Sequence, residues 1–135
     1  MDLINELLDA LKKHRLLRGR IKLALTNDNL TDAEQIVTDH YKCDFGKWLR
    51  NSNTIAEFKR SGCFNYYKEI DLLHQKIHEE TIELLKDVKL GEKAKVLEFF
   101  SSDGKMNKIF KELIRSIKKV AHALAAWLVC KNWCL

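Results

Sequence analysis

The chain contains one cysteine and three histidines whose types and spacing suit a metal ion. His74 and His78 are four residues apart, so both imidazoles would lie on one face of a helix, about one turn from each other. With His14 and Cys43 they supply three imidazoles and one thiolate, a ligand set that Zn²⁺ binds tetrahedrally. Four protein ligands leave no coordination position for water. The pattern therefore predicts a structural or sensing zinc site rather than a hydrolytic one.

Taken singly, these residues have simpler interpretations. A histidine on an apolar helix face is more often hydrogen-bonded within the core than bound to a metal. A buried free cysteine is usually inert packing. The segment around Cys43 favours the metal site because a cysteine, Gly46 and Trp48 so close together are costly choices for a plain helical domain. Gly46 is typical of a place where backbone passes close to a neighbour. The prediction rests on the combination and not on any one residue.

The elements that must position these residues are predicted to be helices. Apolar residues recur at three- and four-residue intervals from Asp2 to about Leu25, with His14 inside the stripe. The same pattern predicts long helices over about 65–88, with its histidines on the buried side, and over about 105–130. Three long helices would then carry most of the core.

Shorter helices are predicted between the long ones. Thr31 and Glu34 form a capping-box pattern that predicts the start of a second helix running towards His40. The segment 43–48 is predicted to be a bend followed by a short helix. Further short helices are expected around 55–58 and over 92–100, and Gly91 is expected to end the long helix before it.

Composition agrees with an all-α fold of modest size. The 135 residues include no proline and five glycines, so turns are few and long helices are favoured. The expected architecture is a four-helix bundle with an additional short helix after the cysteine-containing bend. Residues 1–135 are expected to form a single zinc-binding helical domain.

Charge and hydropathy exclude several classes of protein. The net charge is +5, but lysines alternate with acidic residues, so a solvated helix face is expected and no nucleic-acid binding. No apolar run approaches the roughly 18 residues of a membrane span, so no membrane insertion is expected. No secretory signal is visible at the start, which predicts a cytoplasmic protein with reduced cysteines.

The segment 43–49, Cys-Asp-Phe-Gly-Lys-Trp-Leu, resembles the Cys-x-(Phe/Leu)-Gly-x-Trp signature of the bacterial chemoreceptor zinc-binding (CZB) domain. An upstream helical histidine and a downstream His-x-x-x-His follow the order of that family's ligands. The resemblance covers roughly residues 7–85 and implies that His14, Cys43, His74 and His78 bind Zn²⁺. It also implies that Trp48 packs the bend onto the bundle. The chain departs from the family in having Leu17 where an aromatic residue often follows the first histidine.

The resemblance further implies a sensory or regulatory function. Zinc occupancy, or oxidation of Cys43 by an oxidant such as hypochlorous acid, would alter helix packing. A chemoreceptor or a diguanylate cyclase would receive the signal, and a homodimer is expected. Because neither signalling region is present in the sequence, the chain resembles a stand-alone member or an isolated piece.

Other polar residues near the motif have weaker expected roles. His40 is interpreted as a surface residue in preference to a partner of the site, and His122 as a packing or dimer contact. Asp39 and Asp71 are candidates for carboxylates that orient a ligand imidazole. The apolar stretch 120–135, with two tryptophans and two cysteines, is interpreted either as the end of the core helix or as a self-association surface.

Alternatives to a sensor follow from the same residues. The His-Glu-x-x-His pattern of zinc proteases is absent because Gln75 follows His74, and no deaminase signature is present, so no enzyme is expected. A structural zinc bundle acting as a protein-interaction module is one alternative. A di-iron bundle of the hemerythrin type is another, although it would need bridging carboxylates.

Overall fold

The computed structural model describes residues 2–133, with side chains described for residues 2–128. This part of the chain forms seven α-helices. They are α1 (Leu3–Thr26), α2 (Leu30–Ile36), α3 (Asp44–Arg50), α4 (Ser52–Arg60), α5 (Phe64–Lys89), α6 (Ala94–Phe99) and α7 (Lys105–Trp133). No described residue is in a strand, and the all-α prediction is confirmed.

The three long helices α1, α5 and α7 supply most of the core. Helices α5 and α7 run antiparallel, as shown by the pairing of Glu80 with Lys105 near one end and Glu69 with Ser116 further along. The shorter helices α2, α3 and α4 contact both α1 and α5 and so close the side of the bundle between them. The core is filled by leucine, isoleucine and phenylalanine side chains, and Leu7, Leu49 and Leu113 are fully buried.

Local sequence explains where the helices begin and end. The Asp2 side chain accepts a hydrogen bond from the Asn5 backbone N–H and so caps α1, while Asn27 follows the last turn. Helix α5 ends at Lys89, and Gly91 has a φ of +94°, a left-handed conformation that glycine adopts without steric cost. The predicted stop at Gly91 is therefore confirmed.

The predicted start and end of the second helix are wrong. Asn29, and not Thr31, caps α2, because the Asn29 side chain accepts a hydrogen bond from the Asp32 backbone N–H. The helix also stops at Ile36 and does not run towards His40. Val37 already has an extended backbone, and the next carbonyl, that of Thr38, bonds a histidine side chain instead of a helical N–H.

The apolar stretch 120–135 is predicted to be either the end of the core helix or a self-association surface, and side chains are described only for about its first half. Val120 is buried, Leu124 is half-buried and Leu128 is 52% exposed, so the core-facing stripe runs out along this stretch. The predictions about Cys130, Trp133 and Cys134 lie outside the residues whose side chains are described. None of the described helices combines the length and the apolar character that crossing a membrane requires.

Candidate metal centre

The structure brings the four predicted ligand residues together inside the bundle. The Nε2 atom of His78 lies 3.1 Å from Nε2 of His14 and 3.1 Å from Nε2 of His74. The Cys43 Sγ atom lies 3.1 Å from Nε2 of His74. All four atoms lie within 4.8 Å of one another, and all four residues are buried.

Three of the six distances between the ligand atoms are close to those of a tetrahedral zinc site. With Zn–N bonds of about 2.0–2.1 Å and a Zn–S bond of about 2.3 Å, the edges would measure about 3.3 Å between nitrogens and about 3.6 Å between nitrogen and sulfur. The 3.1 Å contacts are slightly shorter than these edges. The four atoms therefore surround a position that a single ion can occupy after small side-chain movements.

Three separate segments supply the four side chains. His14 comes from the middle of α1, and His74 and His78 come from successive turns of α5. Cys43 is the N-cap of α3, where its Sγ accepts a hydrogen bond from the Gly46 backbone N–H at 3.3 Å. The centre thus joins α1, α5 and the segment that leads into α3.

The tautomer of His78 is set by the backbone. Its Nδ1 lies 2.8 Å from the carbonyl oxygen of Thr38, and since a carbonyl only accepts, Nδ1 must carry the proton. The Nε2 atom then has a free lone pair directed at the cluster. A histidine that donates one ring N–H to a carbonyl while presenting the other nitrogen is typical of metal sites.

Burial keeps the imidazoles neutral. It lowers the pKa of His14 to about 3, with further lowering by His78 and Arg18. It also lowers the pKa of His74 to about 2, assisted by His14 and His78. The pKa of His78 is lowered by burial as well, although its bond to Thr38 opposes the shift. Neutral imidazole is the form that binds a metal, so no proton has to be removed from these ligands near neutral pH.

The Cys43 thiol is in a different electrostatic situation. Burial raises its pKa, and the backbone N–H of Gly46 opposes that shift only in part. A buried thiolate with no nearby cation would be costly. A bound divalent ion supplies the missing positive charge and would hold Cys43 as thiolate. The donor set therefore fits Zn²⁺ chemically as well as geometrically.

Gly46 is required by a close backbone contact. A Cβ at this position would overlap the carbonyl oxygen of His40 and lie 3.3 Å from the Tyr41 Cα. The chain folds back at this point so that residues 40–42 pass over the first turn of α3. This confirms the interpretation of Gly46 as a place of close backbone approach.

Aromatic side chains surround the cluster. The Phe45 ring stacks on the His74 ring with centroids 4.7 Å apart, and the Phe110 ring lies 5.7 Å from that of His14. Trp48 is half-buried and contacts Phe45 and Phe58 edge-to-face. These rings restrict the imidazole orientations and lower the local polarity.

A cavity of about 520 Å³ opens beside the centre. His14 and Cys43 line this cavity, and Leu16, Arg20 and Thr38 are among the other residues that line it. Because the cavity is open to solvent, small solutes can reach the vicinity of the Cys43 sulfur without unfolding the bundle.

The two candidate carboxylates, Asp39 and Asp71, pair with basic side chains and not with the imidazoles of the cluster. Asp71 forms an ion pair with Arg50 of α3 at 3.2 Å, and Asp39 pairs with Lys42 at 3.8 Å. The carbonyl oxygen of Thr38 takes the role expected of a carboxylate. Sequence patterns could not indicate this, because any residue offers a backbone carbonyl.

The other two histidines lie outside the cluster. His40 is half-buried, and its ring centroid lies 3.9 Å from that of Tyr41 and 6.2 Å from that of His74. His122 is exposed on α7, so the interpretation as an intramolecular packing contact is wrong for the described chain. Phe45 and Arg50, which sequence reasoning did not single out as parts of the site, contact it or its supporting residues.

The di-iron alternative lacks the ligands that it needs. Among the described residues, the one group of side chains that could hold a metal consists of three histidines and a cysteine. Bridging carboxylates are the defining ligands of di-iron bundles, and this cluster contains none.

Comparison with known protein families agrees with this geometry. The model of the chemoreceptor zinc-binding domain matches residues 14–85, which is 72 of the 135 residues. This range begins at His14 and includes the other three cluster residues. Neither the curated proteins nor the solved structures gave a match to the chain. The chain therefore belongs to the chemoreceptor zinc-binding (CZB) domain family.

Proposed function

We propose that this protein is a zinc-binding sensory domain whose metal is held by His14, Cys43, His74 and His78. The observation that carries the proposal is the convergence of three imidazole Nε2 atoms and one thiol on a single buried position. Hydrogen bonds among neutral imidazoles and a thiol satisfy these ligand atoms only in pairs, whereas a cation at the centre would bind all four at once.

The proposed signal arises because the metal links three segments of the chain. With Cys43 bound, the segment before α3 is tied to both α1 and α5. Loss of this ligand would remove the link from Cys43 to α1 and α5, and residues 37–43 would keep only weaker attachments, among them the Thr38–His78 bond, the packing of Val37 on the core and the Tyr41–Arg50 contact. A change at one sulfur atom would thus alter the relative packing of long helices, which is the kind of change a partner can read.

Two inputs are compatible with this arrangement. Zinc concentration would act directly through occupancy. Hypochlorous acid would oxidise the Cys43 thiolate to sulfenic acid, with transfer of oxygen to sulfur and departure of chloride, and sulfenic acid is a poorer ligand than thiolate. The cavity beside Cys43 would admit either zinc or the oxidant.

The partners and location are also proposals. A cytoplasmic chemoreceptor or diguanylate cyclase would receive the signal, and the chain would act as a homodimer. The family description names chemoreceptors and zinc, which supports the first of these partners. No enzymatic activity is assigned to the centre, because four protein ligands leave no position for a substrate or water.

The proposal is tested by adding Zn²⁺ to metal-free protein while near-ultraviolet circular dichroism is recorded. Trp48 contacts Phe45, which stacks on His74, so closure of the site should change the signal of this aromatic group. The change should saturate at one zinc per chain and should reverse with chelator. Cys43→Ser should abolish the saturable change, and Cys63→Ser, at a buried cysteine away from the cluster, should retain it.

The same titration separates the sensor from a static scaffold. If zinc binds with one-to-one stoichiometry while the packing, hydrogen exchange and association state of the chain stay the same, the structural zinc bundle is the correct description. If no saturable binding occurs, neither description holds.

A further inference from the structure

One side of α1, opposite the core, carries an exposed apolar stripe. Leu16 and Leu23 are 64% and 63% exposed, and Leu8 is 48% exposed. With 3.6 residues per turn, these leucines and the intervening Lys12 and Gly19 fall within about 80° of the helix surface. Gly19 is exposed, and a Cβ added there would meet no atom within 4 Å.

The stripe is symmetric about its own centre. Leu16 lies eight residues after Leu8 and seven before Leu23, so it falls within about 1 Å of the midpoint along the helix axis. A two-fold axis through that midpoint, perpendicular to α1, generates an antiparallel second copy. Leu8 of one copy then lies against Leu23 of the other, and the two Leu16 side chains meet at the axis. In the same register Lys12 faces Gly19, where the missing side chain leaves room for the methylene stem of lysine.

Charge favours the antiparallel arrangement. The first half of α1 carries two acidic residues, Glu6 and Asp9, and two lysines, so it has no net charge, whereas the second half carries only basic residues among its charged side chains. A parallel pair would therefore bring two basic halves together, and an antiparallel pair places each basic half against a half without net charge. Asp9, which pairs with Lys13 of its own helix at 3.3 Å, and Arg20 flank the stripe on the same edge. The two-fold register brings Asp9 of one copy within about 3 Å of Arg20 of the other along the axis, twice per dimer.

We infer that the outer face of α1 is the contact between two copies of this chain, paired antiparallel around Leu16. The inference rests on the homodimer of the proposed function and names its surface. It replaces the apolar end of α7, where Leu128 is 52% exposed, as the site of self-association. Because α1 also carries His14, the same helix would connect the metal centre to the dimer contact.

The test is sedimentation velocity of the full zinc-loaded chain over a range of concentrations, with three matched arginine substitutions. Leu16→Arg places two like charges at the two-fold axis and should weaken dimerisation at least tenfold. Leu72→Arg changes a leucine of similar exposure, 66%, on α5 and should leave dimerisation unchanged. Leu128→Arg probes the rival surface and should also have no effect.

A charge exchange tests the direction of the pairing. Asp9→Arg and Arg20→Asp should each weaken the dimer, and the double variant should restore it, because the exchanged charges still face each other across the two-fold axis. Far-ultraviolet circular dichroism of every variant should match the unmodified chain. Zinc content should match in Asp9→Arg, Leu72→Arg and Leu128→Arg, whereas Leu16 and Arg20 line the cavity beside the metal centre, so zinc is measured in their variants to separate an effect on the site from an effect on dimerisation.

The outcomes distinguish this inference from the proposed function. A dimer that survives Leu16→Arg but is lost with Leu128→Arg shows that the copies meet through α7, and the inference is wrong while the homodimer stands. A chain that is monomeric at all concentrations, yet binds one zinc, removes both the inference and the homodimer and leaves the metal site intact.

Discussion

The Nδ1 atom of His78 donates its proton to the carbonyl oxygen of Thr38 across 2.8 Å, which ties α5 to the segment between α2 and α3. This bond explains two features together. It holds in place the extended segment that follows α2, which ends at Ile36 with Val37 already extended. It also orients the His78 ring so that Nε2 faces the other cluster residues. The geometry of the centre therefore depends on backbone as well as on side chains.

Acid should destabilise the metal-free protein in a defined range of pH. The pKa values of His14 and His74 are about 3 and about 2 in the folded chain, whereas both lie near 6.5 when unfolded. The unfolded state thus binds more protons below pH 6.5. The free energy of unfolding should be highest above pH 6.5 and should decrease towards pH 3. The slope should be on the order of 1.4 kcal/mol per pH unit for each imidazole.

Urea unfolding with chelator present, repeated between pH 7.5 and 4, measures this slope. His122→Gln, at an exposed histidine outside the cluster, serves as the matched control. His74→Gln should reduce it, because one of the buried imidazoles is removed. A free energy of unfolding that is independent of pH in the unmodified chain would contradict the burial of neutral imidazoles.

Replacing Gly46 should damage the bend that carries Cys43. In Gly46→Ala the new methyl group meets the His40 carbonyl, and backbone cannot move aside as a flexible side chain can. We expect a loss of about 1–3 kcal/mol in the free energy of unfolding and weaker zinc binding. Lys47→Ala, at an exposed position in the same helix, should change stability by less than about 0.5 kcal/mol. Equal behaviour of the two variants would show that the close approach has no consequence.

Asp71 should act through Arg50 and not through His74. The two side chains form paired contacts of 3.2 Å, and the Arg50 guanidinium also lies 4.8 Å from the centre of the Tyr41 ring. A double-mutant cycle with Asp71→Asn and Arg50→Gln should give a coupling energy of up to about 1 kcal/mol in stability. Asp71→Asn should not reduce zinc affinity further once Arg50 has been replaced. An additional loss in that background would mean that the carboxylate orients His74 after all.

Oxidation should reach Cys43 of the metal centre before the buried Cys63. Cys43 lines the open cavity, whereas Cys63 has no exposed surface. Treatment with about one equivalent of hypochlorite, followed by peptide mass spectrometry, should find modification at Cys43 and zinc release in equal amounts. The Cys63→Ser variant should behave like the unmodified chain. Faster modification of Cys63 than of Cys43 would exclude the redox input and leave zinc concentration as the signal.

Sequence patterns predicted the long helices well because each has a continuous apolar stripe. The buried residues Tyr67, Ile70, Ile77 and Leu84 fall on the predicted side of α5, and His14 lies in the predicted stripe of α1. Periodicity identifies these positions directly, since only one face of each helix can pack against the core. The four cluster residues followed from this placement together with the motif around Cys43.

The connections could not be predicted in the same way. The choice between Asn29 and Thr31 as the cap of α2 depends on one hydrogen bond, and both residues are good caps. The role of the Thr38 carbonyl depends on which backbone groups the fold leaves free. Asp71 is three residues before His74 and shares its helix face, but the fold provides Arg50 as a stronger partner. Which of several possible partners a residue binds is decided by tertiary contacts, and the spacing of residues in the sequence does not indicate it.

The central claim is that four residues hold one zinc ion, and metal analysis of purified protein tests it most directly. Inductively coupled plasma mass spectrometry should find one zinc per chain in the unmodified protein and in Cys63→Ala and His122→Ala. Cys43→Ala, His14→Ala and His74→Ala should each retain much less zinc after dialysis against a weak chelator. One zinc per chain in Cys43→Ala would contradict the account, and so would an unmodified chain that contains no zinc.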